Sequence, residues 1–287
     1  FVRRKLQRAG TASGAAASAD AAADISRDST DDYASWRESA QERMFFADFD
    51  DEDFSGRDVL DFGCGVGTLT YQLAMHGARS VVGVDLNEAS LEKARRRRRD
   101  EPVEFRLSTD DRAIDIADES VDVVACFDVM EHIMAYAPII REWYRILRPS
   151  GRVLVHWQPY FHPYGHHMQD YLPVPWVHLL LSGERRRELC ARVVDLPEFD
   201  APWWDRDEDG NRINRFRVAP DGPGFLNRLS MRRFERICAR AGFRLARRTL
   251  KPFSGSSVVV TVSRVLTHVP VLREGFTAHA VYVLEKA

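Results

Sequence analysis

An apolar strand that ends in an aspartate and runs through three alternating glycines into a helix leaves a chain few folds to choose from. Val59-Leu60-Asp61-Phe62-Gly63-Cys64-Gly65-Val66-Gly67-Thr68 is such a run. Glycine permits unusual backbone angles and, lacking a Cβ, lets a ligand approach the main chain closely. In open parallel sheets this turn faces the ligand crevice at the carboxyl ends of the strands. A dinucleotide site prefers G-x-G-x-x-G with the pyrophosphate on the helix N-terminus. Here the third glycine comes one residue early, and Thr68 takes the last position of that pattern. An acidic residue opening the loop suits a cationic ligand better than a diphosphate. Further on, the strand Val81-Val82-Gly83-Val84 ends in Asp85, whose carboxylate can accept hydrogen bonds from both hydroxyls of a ribose.

Around this run strands and helices alternate. Strands are predicted at 57–61, 80–84, 103–107, 121–127 and 152–157, with Pro149-Ser150-Gly151 as the turn into the fifth. Helices are predicted at 68–76, 89–99, 130–135 and 139–147. The alternation implies a Rossmann-like α/β fold, a parallel sheet with helices on both faces. From 158 to 229 the rhythm is lost, a stretch too long for an ordinary loop, so a folded insert after the fifth strand is expected to shape the substrate pocket. The rhythm resumes at Ser230, an N-cap for a helix through Ala241 that Gly242 would end; strands at 244–250 and 278–285 follow. The predicted organisation is a disordered alanine-rich tail over 1–30, a helical lid over 31–56, a cofactor-binding core over 57–157, the insert over 158–229 and the rest of the core over 230–287.

Composition excludes several classes. The 41 basic residues nearly balance the 43 acidic ones among 287, which argues against a dedicated nucleic-acid binder. No apolar run reaches the roughly 20 residues that span a bilayer, so no membrane partner is expected. Cys64, Cys126, Cys190 and Cys238 have no paired spacing and read as reduced thiols of a cytoplasmic protein.

At the glycine loop and Asp85 the sequence resembles the class I S-adenosylmethionine-dependent methyltransferases, particularly the small-molecule group with a D-x-G-x-G-x-G loop. The resemblance is close over Val59–Gly151 and resumes at Arg232–Glu285. It implies a seven-stranded, mostly parallel sheet with the last strand antiparallel, and S-adenosylmethionine as cofactor. It places Gly63, Gly65 and Gly67 beneath the methionine part and Asp85 at the ribose, with Asp61, Cys64 and Leu86 completing the cofactor-binding set. Asp110 or Asp111 would lie at the adenine, Phe127 and Asp128 along the methionine side, and Tyr33 and Trp36 on a closing helix. Tyr33 and Trp36 read equally well as packing of that helix. A narrower resemblance, to ubiquinone-biosynthesis O-methyltransferases, offers Asp128, Glu131 and His132 as ligands for a divalent ion, although aspartate stands where that family tends to have glutamate. A metal is not otherwise expected.

The reaction implied is methylation of a small molecule, foremost at oxygen, and a hydroxyl acceptor needs its proton removed. His132 has the intrinsic pKa for a base but reads equally as a brace of its helix. His162, His166 and His167, among Tyr160, Phe161, Tyr164 and Trp176, would suit contact with an aromatic acceptor or a second choice of base. Asp205–Gly210 opens like a calcium loop but lacks glutamate at its twelfth position, which is Phe216. The run Arg95–Arg99 spreads around a helix and gives no single face. It motivates the rival of an RNA methyltransferase; other rivals are a cofactor-dependent cyclisation or rearrangement, and a non-catalytic cofactor-binding protein.

Overall fold

The computed structural model describes residues 43–97, 101–199, 205–206, 211–218, 226–253 and 256–287. They form two compact units. One is built from Gln41–Pro159, Leu229–Lys251 and Ala278–Ala287, the other from Tyr160–Arg228 and Pro252–Thr277.

The first unit is a seven-stranded sheet of β1 (Asp58–Phe62), β2 (Ser80–Asp85), β3 (Val103–Leu107), β4 (Val121–Phe127), β5 (Leu147–Trp157), β6 (Phe243–Lys251) and β7 (His279–Lys286). Their order across the sheet is β3-β2-β1-β4-β5-β7-β6. The pairs β1–β2, β2–β3, β1–β4 and β4–β5 are parallel, and β7 runs antiparallel to both β5 and β6. The strand order reverses at β1 and β4, so their carboxyl ends splay apart into a crevice.

Because side chains alternate across a strand, β4 feeds two cores at once. Val124 and Cys126 face a layer made with Ile139, Ile140 and Trp143 of α3 (Tyr136–Ile146) and with Phe234. Val123, Ala125 and Phe127 face the other layer, with Phe45, Phe49 and Leu73 of α1 (Thr68–Met75). Such double burial explains why the parallel strands read as short apolar runs. The helix α2 (Glu88–Arg96) between β2 and β3 starts at Asn87, whose side chain accepts from the Ser90 amide at 3.1 Å.

Three local expectations are corrected. Pro149-Ser150-Gly151 does not precede the fifth strand but sits inside it: Val121 pairs with Leu147 and Val123 with Arg152, so the intervening residues bulge, with Ser150 at φ 64°. The helix expected over 130–135 is only a 3-10 turn, Met130–His132. The helix expected at 139 begins instead at Tyr136, since Pro138 falls in the first turn, where its missing N–H costs nothing.

The second unit has its own core, with Met168, Leu172, Val177, Cys190, Ala191 and Phe216 buried around α4 (Gly183–Val194). It takes in α6 (Ser257–Thr267), so the segment between β6 and β7 belongs to this unit rather than to the core segment over 230–287. The putting-together of a helix from its ends is clearest in α5 (Met231–Ala241). Ser230 accepts from the Arg233 amide at 3.1 Å, and Gly242 closes the helix at φ 105° against Tyr144. Ser230→Ala should therefore lower the stability by about 1 kcal/mol in denaturant titration, with an unchanged slope.

Candidate cofactor site

The glycine loop is tied to the end of β2. The Gly63 and Cys64 amides donate to the Val84 carbonyl at 2.8 and 3.1 Å, and the Gly65 amide donates to Asp85 Oδ2 at 2.8 Å. Asp85 Oδ1 accepts from the Asn87 amide at 2.8 Å, so this carboxylate joins the loop to the start of α2. The Gly67 amide is turned back onto the Cys64 carbonyl at 2.9 Å. A diphosphate site needs such amides free to point at the ligand. Here the amides of Gly63, Cys64, Gly65 and Gly67 are committed, and the carboxylates of Asp61 and Asp85 lie by the loop.

All three glycines have left-handed backbones, but they do different work. A Cβ on Gly63 would lie 2.5 Å from Val129, and one on Gly67 would lie 2.6 Å from Phe105. A Cβ on Gly65 would meet nothing within 4 Å, so the middle glycine borders open space. The Cys64 side chain is buried, with Sγ 2.9 Å from where a Cβ on Gly83 would be, which leaves its backbone to border a ligand.

Asp61 lies beneath the loop, 2% exposed, and accepts from the Thr70 hydroxyl at 2.6 Å. Burial pushes its carboxyl up to about 7; the Thr70 bond opposes this, and the nearby Asp85 charge adds to it. Leu86, beside Asp85, is 64% exposed. Asp110 and Asp111 are exposed after β3, Asp110 accepting from the Arg112 amide at 2.8 Å and Asp111 pairing with Arg112 at 3.7 Å. Tyr33 and Trp36 lie outside the described residues.

Across the crevice, β4 ends in Phe127, and Asp128 adopts φ 54° with its amide donating to the His156 carbonyl at 2.9 Å. The Asp128 carboxylate faces His156 Nε2 at 3.5 Å, and His156 Nδ1 contacts Asp48 at 2.6 Å. Lys251 also pairs with Asp48. Burial would raise the Asp48 carboxyl, but its bonds to His156 and Lys251 outweigh that and hold it below its ordinary value. His279, its ring 4.9 Å from that of His156, is pushed down to about 4, chiefly by burial and then by His156. His156 falls inside the strand predicted at 152–157, whereas sequence reasoning missed Asp48, Lys251 and His279. A polar residue at the carboxyl end of each of β5 and β6, and at the start of antiparallel β7, was the available signal.

The proposed ion set is divided. Among the described residues, Asp128 does not bring a donor atom within 4.8 Å of both Glu131 and His132. Its carboxylate turns to His156 instead, while Glu131 and His132 on the 3-10 turn keep donor atoms within 4.8 Å of each other. The other histidines lie in the second unit. His166 is fully buried, its Nδ1 accepting from the Met168 amide at 3.1 Å, and burial followed by the charges of His178 and Arg186 pushes it down to about 3. An imidazole held there is a poor base at neutral pH, which corrects its candidacy. His162 is also buried, accepting from the Tyr164 amide at 3.1 Å, and His167 is partly exposed at φ 53°. The calcium-like loop falls mostly outside the described residues. Of the arginine run, Arg95 pairs with Glu88 at 2.6 Å and Arg96 with Glu92 at 3.4 Å, within their own helix.

Two outcomes follow from the loop. Gly65→Ala should cost only about 1–2 kcal/mol of backbone strain, whereas Gly67→Ala should destabilise more, because it must also displace Phe105; thermal melts of both variants decide the order. Asp61 is an acid whose folded pKa, about 7, exceeds its unfolded value. Its contribution is full below about pH 4 and is lost as pH rises through 7, at up to about 1.4 kcal/mol per pH unit. Asp61→Asn, which can still accept from Thr70, should flatten the stability profile between pH 4 and 7; an unchanged profile would contradict the assignment.

Comparison with known proteins fits this geometry. Residues 60–155 match a methyltransferase domain family. The chain is 37% identical over 101 residues to a ubiquinone biosynthesis O-methyltransferase of Pseudomonas putida, a match covering 34% of this chain and 43% of that protein. The chain thus matches less than half the length of this curated relative. Among solved structures, an S-adenosylmethionine-dependent methyltransferase from Mesorhizobium loti superposes with a TM-score of 0.53 at 15% identity, covering 85% of this chain and 96% of the other. A second such protein, from Listeria monocytogenes, gives 0.53 at 17%, covering 88% and 98%. At these identities the likeness is one of fold. Residues 60–155 thus carry a methyltransferase domain, and the described sheet has the fold seen in these S-adenosylmethionine-dependent methyltransferases.

Proposed function

We propose that the chain transfers the methyl group of S-adenosylmethionine to an oxygen of a small molecule. One observation carries the reading: the loop amides that would hold a diphosphate are spent on Val84 and Asp85, while Gly65 borders open space flanked by acidic residues. That arrangement suits a ligand with a ribose and positive charge. The oxygen acceptor is carried over from the name of the Pseudomonas putida relative.

When bound, the cofactor supplies a methyl group on a positively charged sulfur, which the acceptor oxygen displaces in line, leaving S-adenosylhomocysteine. The protein's residues then have three tasks. Asp85, held rigid by two amides, has lone pairs left for the ribose hydroxyls. Exposed Leu86 offers an apolar shelf to the base, with Asp110 and Asp111 beyond β3. Gly65 lets the chain of the methionine part pass close, and Phe127 with Asp128 borders it from β4. Alignment and exclusion of water then account for most of the acceleration, because charge disappears as the methyl moves. His132, exposed at the carboxyl end of β4, is our assignment for the group that takes the acceptor proton.

Asp85→Ala should weaken S-adenosylhomocysteine binding by about 2 kcal/mol, roughly 30-fold, in calorimetry. A panel of phenols and catechols should release S-adenosylhomocysteine on turnover, and His132→Ala should slow it. Unchanged affinity would remove Asp85 from the ribose, and tight binding without turnover on any acceptor would favour a non-catalytic role.

A further inference from the structure

His156 is 0% exposed, and a buried imidazole is costly unless its nitrogens are satisfied. Asp48 is held ionised by its partners, so it accepts and His156 Nδ1 donates, at 2.6 Å. Nε2 lies 3.5 Å from Asp128 Oδ1, an ion-pair separation, and has no hydrogen-bond partner among the described residues. The firm grip on Asp128 is through the main chain, where the His156 carbonyl accepts the Asp128 amide at 2.9 Å. Left-handed backbone costs a non-glycine residue about 1 kcal/mol or more, so something must hold Asp128 there. His156 does so through its main-chain carbonyl, with its ring standing against the Asp128 carboxylate.

The place being held matters. Ala125 is level with Asp61 in the β1–β4 register, which sets Asp128 level with the start of the glycine loop. Val129, the next residue, fills the space beside Gly63. Asp61 is engaged by Thr70 and Asp85 by two amides, whereas the Asp128 side chain is 23% exposed and stands 3.5 Å from the ring. We propose that His156 is a positioning residue: anchored by Asp48, it fixes the Asp128 carboxylate at the end of β4 as the counter-charge for the ammonium group at the amino-acid end of the bound nucleoside. This rests on the cofactor reading given above.

A merely structural staple would weaken every ligand alike, or only the fold. The discriminating comparison is between S-adenosylhomocysteine, which carries the ammonium group, and methylthioadenosine, which lacks the amino-acid end. His156→Gln and Asp48→Asn should each weaken S-adenosylhomocysteine about tenfold in calorimetry and leave methylthioadenosine within twofold, as should Asp128→Asn. Should His156→Gln fail to fold, Asp48→Asn and Asp128→Asn decide the matter. Equal losses for both ligands, or no loss for S-adenosylhomocysteine, overturn the inference while leaving the cofactor reading intact. If the unsubstituted protein binds neither nucleoside, the cofactor reading itself fails.

Discussion

The hydrogen bond from the Gly65 amide to the Asp85 carboxylate, 2.8 Å long, is the constraint on which the site depends. It crosses from the loop after β1 to the end of β2, and so fixes the loop against a neighbouring strand. It also converts a set of amides that could have cradled an anion into the scaffold of an acidic site. Negative charge beside the loop, at Asp85, then selects for a cation. The sheet supplies the rest, since the reversal of strand order at β1 and β4 opens the crevice in which that charge is presented.

Much of this was legible in the sequence, and the reasons are local. The parallel strands are apolar on both faces, so each reads as a short run bounded by turn residues. Ser230 and Gly242 mark the ends of α5 because capping is a property of neighbouring residues. Asp61 and Asp85 were visible because strand ends in a parallel sheet all point to one place. What escaped was set by distance along the chain. Asp48, His156, Lys251 and His279 meet only once β5, β6 and β7 are paired and the segment before β1 lies beside them. No periodicity encodes that meeting. The bulge at Ser150 was misread as a turn because a turn and a bulge use the same residues.

The histidine-rich segment shows where residue type alone misleads. His166 looked like a base because imidazoles titrate near neutrality, yet burial removes that property. His156, at the end of the fifth strand, stands between two carboxylates, bonded to Asp48 and facing Asp128. Environment, rather than identity, decides what a histidine can do. The same holds for Cys64, whose position in the loop suggested ligand contact while its side chain packs over Gly83.

The measurement closest to the central claim is protection against thermal melting by three compounds at equal concentration: S-adenosylhomocysteine, a nicotinamide dinucleotide and a nucleoside triphosphate. The acidic loop predicts a clear rise in melting temperature with the first and none with the others. Protection by either phosphate-bearing compound, without protection by S-adenosylhomocysteine, would contradict the account.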